Sequence, residues 1–332
     1  MTAAKNLSAS DIADLIRVYA GPAAVPKNFR IIADTSDFFK LDYNDVVLLG
    51  DNAYWVKRYE KEGRFGIDDQ PKYWVRRAID LKTGETKILK LVFHEEFITR
   101  IAGLEIKCFR SPRKEARILD LVAQDDRFMH GTWTRDEAGN NVRILEFIYG
   151  RSIDRVIEDD DGDHYEYFHQ RFPQILAHYI EMVQAIKFLH DHGEKHGDIR
   201  RDHIFWDRER ERYRWIDFDY NYLHGESMFA FDLQGLGNII IYLVGRGDIL
   251  VPDLYHNQRE LFDLLWGEDL NISYKNRVAN LKKIFPYIPE SLNRVLLHFS
   301  HGAKIFYETT GQLLDDLAEA QAEVAAQTGR QS

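Results

Sequence analysis

Residues 190–219 read HDHGEKHGDIRRDHIFWDRERERYRWIDFD. The run sets a histidine and an aspartate together at His196-Gly197-Asp198 and continues into a short apolar segment, Ile204, Phe205 and Trp206. It then crosses a charged turn and returns on a second apolar segment to Asp217. One carboxylate on a loop, a hairpin, then a second carboxylate is a pattern suited to phosphoryl transfer. One acid addresses the attacking hydroxyl and the other holds a metal ion on the phosphates.

The sequence on either side of this stretch is helical. Upstream, Ile175, Leu176, Tyr179, Ile180, Val183, Ile186 and Leu189 recur at three-to-four spacing, and Gly193 closes the helix. Downstream, 231–247 is apolar on nearly every side, which predicts a helix in the middle of a helical lobe. The patterns at 257–267, 271–284 and 289–300 predict further helices, and one more closes the chain.

Further upstream the period changes to two. From Asp45, DVVLLG, the turn Asp51-Asn52, AYWVKRYE, KYWVRRAID at 72–80 and TKILKLVF at 86–93 predict an antiparallel sheet over 45–93. Lys90 lies in its last strand, either facing outward as most strand lysines do or aimed at phosphates. Glu62-Gly63-Arg64-Phe65-Gly66 is a glycine turn whose backbone N–H groups could cover phosphates. A plain hairpin is the alternative, and the Gly50-Asp51-Asn52 turn competes for the role. Residues 112–123 predict an amphipathic helix starting at Pro112, with Glu115 either solvated or reaching Lys90. NNVRILEFIYG at 140–150 is an apolar strand, and EDDDGDH at 158–164 lacks the closing Glu of a calcium loop and reads as a solvated linker. Ser8 or Ser10 caps a short helix over 9–19, and residues 1–44 form an N-terminal extension. Sheet first and helices later, without alternation, argues for an α+β protein.

The composition narrows the function classes. Forty-four Lys and Arg against 54 Asp and Glu give a formal charge of −10, so no basic face for nucleic acid is expected. A single cysteine, Cys108, excludes an internal disulfide framework. No long apolar run predicts a membrane span, and the N-terminus does not read as a secretory signal, so a cytoplasmic protein is expected. His190, His192, His196 and His203 could form a metal-hydrolase cluster, but no helical H-x-x-x-H pair with a third ligand is evident.

The order of these pieces resembles the protein kinase-like superfamily over roughly residues 50–320. TGETKILK is similar to the strand of the phosphate lysine, EARIL to the helix of its glutamate, and ILEFIYGRSI to the hinge. FLHDHGEKHGDI is similar to the catalytic loop, IDFD to the metal-binding Asp-Phe-Gly, and FDLQGLGNIIIYLVGRG to the buried helix whose leading acid is Asp232. The resemblance implies a two-lobed fold, with an antiparallel N-lobe over 45–150, a helical C-lobe over 151–320 and a tail over 321–332. It implies Asp198, Lys90 and Glu115 as catalytic, and Lys90, Gly63, Gly66, Glu146 and Ile148 as contacts to ATP. Asp217 and His203 would bind Mg²⁺, with Mn²⁺ an alternative because His203 stands where asparagine is usual. The partners would be ATP and a protein or small-molecule substrate.

Four departures bear on activity. His203 replaces that asparagine, Asp219 replaces the usual glycine, and Ile88 and Phe205 are larger than the residues typical of an adenine pocket. Asp217 to Asp232 spans only 15 residues (232 − 217), which leaves no room for a peptide-holding activation segment. The expectation is an atypical kinase, with a pseudokinase binding module as the alternative.

Overall fold

The computed structural model describes residues 7–64, 67–101, 104–223 and 227–328. It is a mixed α+β protein that divides into two compact units, Met1–Glu95 with Arg110–Ile148, and Glu96–Phe109 with Tyr149–Ser332.

The first unit is built on a seven-stranded sheet ordered Ile31–Ile32, Val46–Leu49, Asn52–Arg64, Ile67–Asp80, Thr86–Lys90, Asn141–Glu146 and Gly131–Arg135. Every pairing is antiparallel except the first, where Ile31 and Ile32 lie parallel to Val46 and Val47. Alternation buries both faces. Val46, Ala53 and Trp55 face the Ala9–Ala20 helix through its Ile12 and Ile16. Val47, Leu49, Tyr54 and Val56 join Leu89, Leu91 and Val142 on the other side.

Ser8 caps that first helix in a reciprocal box with Asp11. Its far end seats on a turn where Gly84 has φ 78°, and a Cβ there would lie 2.4 Å from the Tyr19 ring. Only glycine permits both the turn and the contact. The segment before Asp45 is therefore built into the sheet. The expected lysine strand is shorter than 86–93, ending at Lys90, although Leu91 stays buried.

In the second unit, Glu96–Ile101 and Leu104–Arg110 form a hairpin whose inner strand neighbours Tyr220–Tyr222 in a three-stranded sheet. A second sheet joins Gly150–Ser152, Ile204–Asp207 and Arg212–Trp215. Around them stand helices Phe172–Asp191, Ala230–Val244, Glu290–Leu297 and Thr310–Thr328. The Ala230–Val244 helix buries Leu236, Ile240, Leu243 and Val244, as its all-round apolarity required.

The helix expected over 271–284 does not form. Asn271 Oδ1 accepts from the backbone N–H groups of Ser273 and Tyr274, both at 2.8 Å, and closes a side-chain turn that competes with helix. Isolated bridges then carry the segment, Leu270 to Val278 and Leu250 to Arg277, leaving only a short 3₁₀ turn at Leu281–Lys283. The expected 257–267 helix is reduced to Arg259–Phe262 and a 3₁₀ turn at Gly267–Asp269.

Candidate functional site

In the first unit, Lys90 is the direct cross-strand partner of Arg143, so the two cations point to the same face. Like charges set opposite one another repel unless a carboxylate divides them. Glu115, on the Pro112–Leu121 helix, does so. Its Oε1 accepts from Lys90 Nζ and its Oε2 from Arg143 Nε, each at 2.9 Å. The side chains are 3 %, 0 % and 1 % exposed for Lys90, Glu115 and Arg143.

Arg143 also donates to Asn141 O at 2.7 Å and Leu91 O at 3.3 Å. Ser111 caps the helix that delivers Glu115, and Pro112 occupies its first turn. The three side chains form a buried ion-paired group in which one carboxylate serves two cations. Lys90 is therefore not the outward-facing residue that strand statistics favour.

Arg143 was not among the expected site residues. Its signal was available in the antiparallel register of 86–90 against 141–146, which sets it opposite Lys90. Of the two residues expected to contact ATP from this strand, Glu146 is half-buried and its Oε1 accepts from His130 N at 2.6 Å, while Ile148 is half-buried at the end of the unit. Gly63 lies within the Asn52–Arg64 strand, and Gly66 falls outside the described residues.

In the second unit the Phe172–Asp191 helix ends at Gly193, φ 72°, with Glu194 N donating back to Leu189 O at 2.9 Å. The loop that follows is held by Asp232. Its carboxylate accepts from His196 N at 2.7 Å, Gly197 N at 2.9 Å and His190 Nε2 at 3.1 Å. The loop backbone at Ile199 presses on the same helix. A Cβ on Gly235 would lie 2.7 Å from Ile199 Cβ and 2.8 Å from Ile199 O.

His196 packs edge-on against Trp215 and Phe218, and its Nδ1 accepts from Asp198 N at 3.3 Å, so it is a packing residue. Phe218 itself is fully buried.

His203 sits between the two expected acids. Its Nδ1 donates to Asp198 O at 2.9 Å, which assigns a proton to Nδ1 and turns Nε2 toward Asp217. The Asp198 carboxylate is 3.6 Å from Nδ1 and the Asp217 carboxylate 3.8 Å from Nε2. Asp217 adopts φ 63°, a left-handed conformation uncommon outside glycine. Ile216 N, one residue earlier, donates to His203 O at 3.0 Å and fixes the approach.

The hairpin between the acids is anchored at its turn. Burial alone would raise the Asp207 carboxyl, but N–H bonds from Glu209, Arg214 and Arg210 overcome it and hold the group below its usual range. Cys108 is buried in the same unit, and burial with the nearby Asp198 charge pushes its thiol up to about 11. It is therefore no thiolate nucleophile at neutral pH.

Among the described residues no group of three or more His, Cys, Asp or Glu is arranged to hold a metal. No helix among them is long and apolar enough to cross a membrane. No family model matches the chain, and no curated protein does either.

Proposed function

We propose that the protein is an atypical ATP-dependent phosphotransferase of the kinase-like kind, acting on a hydroxyl of a small molecule or a protein. The observation that carries this reading is the placing of Asp198 and Asp217 on either side of the His203 ring, at 3.6 and 3.8 Å. Asp198 is the residue to orient a substrate hydroxyl and take up its proton. Asp217 and His203 are the residues to hold a divalent cation, which when bound neutralises charge on the phosphates. A nitrogen donor from His203 favours Mn²⁺ over Mg²⁺. The buried Lys90, fixed by Glu115, supports the same reading from the first unit, because a held lysine is the residue type that addresses an anionic ligand. Asp217 to Asp232 is only 15 residues (232 − 217), too short for a peptide platform, and this favours a small-molecule substrate.

Asp219 supports a second reading, a kinase-like module that binds without turnover. The residue is buried, 1 % exposed, where the resemblance implies a flexible glycine. Thermal shift with ATP and either Mg²⁺ or Mn²⁺ tests both, because a ligand at 100 times its Kd stabilises by about 2.7 kcal/mol. No shift with either metal refutes the phosphotransferase. If the protein is stabilised, Asp217→Ala abolishes the metal dependence, while Asp198→Ala binds as before and loses turnover. Metal-dependent binding with no ATP hydrolysis or transfer in the unaltered protein selects the second reading.

A further inference from the structure

We propose that Arg201, Asp248 and Arg277 form an acceptor subsite, in which the two guanidinium groups bind a phosphomonoester group of the small molecule whose hydroxyl Asp198 addresses. Anion binding by this cluster is a structural inference, and its role at the acceptor end rests on the phosphotransferase reading.

Asp248 stands between the two arginines. Its Oδ2 accepts from Arg201 Nη1 at 3.0 Å, and its Oδ1 lies 2.8 Å from Arg277 Nη2. The second contact is an ion pair out of line for a hydrogen bond, and the buried Oδ1 accepts none. Each guanidinium lies over a tyrosine ring, Arg201 over Tyr242 at 4.1 Å and Arg277 over Tyr274 at 4.4 Å. The rings set the planes of the two groups and leave their N–H edges for other partners.

What marks the cluster is a surplus of donors. A guanidinium carries five N–H groups. Among the described residues, the Arg201 side chain places one of them on Asp248, and that of Arg277 places none in line. Yet the Arg277 side chain is only 10 % exposed, and its Nε is closed off from solvent without a partner. A buried donor left unbonded is unfavourable, and an acceptor brought by a ligand offsets that cost. The Arg201 side chain is 35 % exposed and Tyr274 is exposed, so a ligand can approach the pair past these two residues.

The arginines are not needed to join the segments around them. Val251 N donates to Asn276 O at 2.8 Å and Val278 N to Ile249 O at 2.9 Å, with an antiparallel bridge between Leu250 and Arg277. Backbone bonds therefore already set Asp248 beside Arg277. Asp154 adds a weaker negative charge near Arg201, so affinity for an anion comes from aimed donors and not from a broad positive field.

Two guanidinium groups from separate segments meet at one carboxylate. That arrangement suits the several oxygens and near-double charge of a phosphomonoester better than the two oxygens of a carboxylate ligand. Arg201 follows Asp198 by three residues in the same loop (201 − 198), so their Cα atoms are at most about 10 Å apart. One small molecule spans that distance, with its hydroxyl at Asp198 and its phosphate at the arginines.

The test uses the full chain with inorganic phosphate as the probe, at constant ionic strength made up with chloride. Hydrogen exchange without nucleotide reads the site directly. Saturating phosphate is expected to slow exchange of the 246–251 and 272–279 amides about tenfold in the unaltered protein. Arg277→Lys keeps the charge and loses the fork, so its dissociation constant for phosphate rises about tenfold. Its urea midpoint and its exchange without phosphate stay close to those of the unaltered protein, and its thermal shift with ATP and Mn²⁺ is the same.

No protection of 246–251 and 272–279 by phosphate overturns the proposal, as does protection that Arg277→Lys keeps in full. Equal protection by acetate overturns the phosphomonoester assignment. If Arg277→Lys does not fold, Arg201→Lys is measured by the same criteria. If the unaltered protein neither binds nor turns over ATP, the phosphotransferase reading fails, and the exchange data still decide whether the anion site exists.

Discussion

Replacing Glu115 by alanine tests the least conventional part of the first unit. Lys90 and Arg143 face each other in register, both fully buried, with one carboxylate bonded to each at 2.9 Å. Removing one partner of a buried ion pair costs about 3–5 kcal/mol, because the remaining charge is uncompensated. Here one deletion removes the carboxylate that two buried cations share, so Glu115→Ala should fall within that range, about 4 kcal/mol. Arg143→Leu should cost less, about 2–3 kcal/mol. It leaves Lys90 and Glu115 as a neutral pair and forfeits the bonds to Asn141 O and Leu91 O. The double variant Glu115→Ala/Arg143→Leu then recovers stability relative to the sum, with a coupling of about 2 kcal/mol. Urea denaturation at pH 7 followed by circular dichroism supplies all four corners of the cycle. If Glu115→Ala costs under about 1 kcal/mol, or the two changes add within about 0.5 kcal/mol, the three side chains are not one electrostatic unit and the reasoning fails.

Gly235→Ala puts a methyl group 2.7–2.8 Å from Ile199, including its backbone oxygen, so the Asp198 loop must shift. On the phosphotransferase reading, turnover should fall about a hundredfold with a stability loss of only about 1–3 kcal/mol, and Ile199→Ala should not rescue it because the carbonyl contact remains. His164 supplies a pH dependence. Burial holds its pKa at about 4 against an ordinary 6.5, with Nε2 donating to Val244 O and Nδ1 accepting from Tyr287 Oη. The unfolded chain binds the proton first, so its contribution is complete above about pH 6.5 and declines as pH falls toward about 4. After discounting for partial exposure the decline is about 2 kcal/mol. Urea midpoints between pH 7 and 4.5 should lose that slope in His164→Gln, and an unchanged slope would show that other groups carry it.

Much of the candidate site was legible because it depends on local chemistry. Gly193 had to end a helix whose apolar spacing stopped at Leu189, and the structure gives it φ 72°. Asp198 and Asp217 could be picked out because a hairpin between them brings its two ends together, and Ile204–Asp207 against Arg212–Trp215 is that hairpin. Arg143 escaped notice because its role comes from register, which sets it opposite Lys90 from more than fifty residues away. The hairpin at 96–110 and the strand Gly131–Arg135 were missed because neither shows a clear alternation and each is stabilised by a neighbouring strand. The 271–284 segment failed the other way. Its apolar spacing suited a helix, but the Asn271 side-chain turn and the bridges to Leu250 and Leu270 outweighed that preference.

The sequence by itself determined the α+β order, the helix stop at Gly193, the helix start at Pro112, and the candidate acids at Asp198 and Asp217. These follow from backbone freedom, periodicity and charge within a few residues. Only the tertiary structure decided which buried charges share a partner. Glu115 divides Lys90 from Arg143, Asp232 holds the loop at His196 and Gly197, His203 stands between two carboxylates, and Lys195 reaches Tyr222. The physical reason is that burying a charge is favourable only against a specific partner at hydrogen-bond distance. Which partner arrives there depends on strand register and helix packing, and neither can be read from neighbours along the chain.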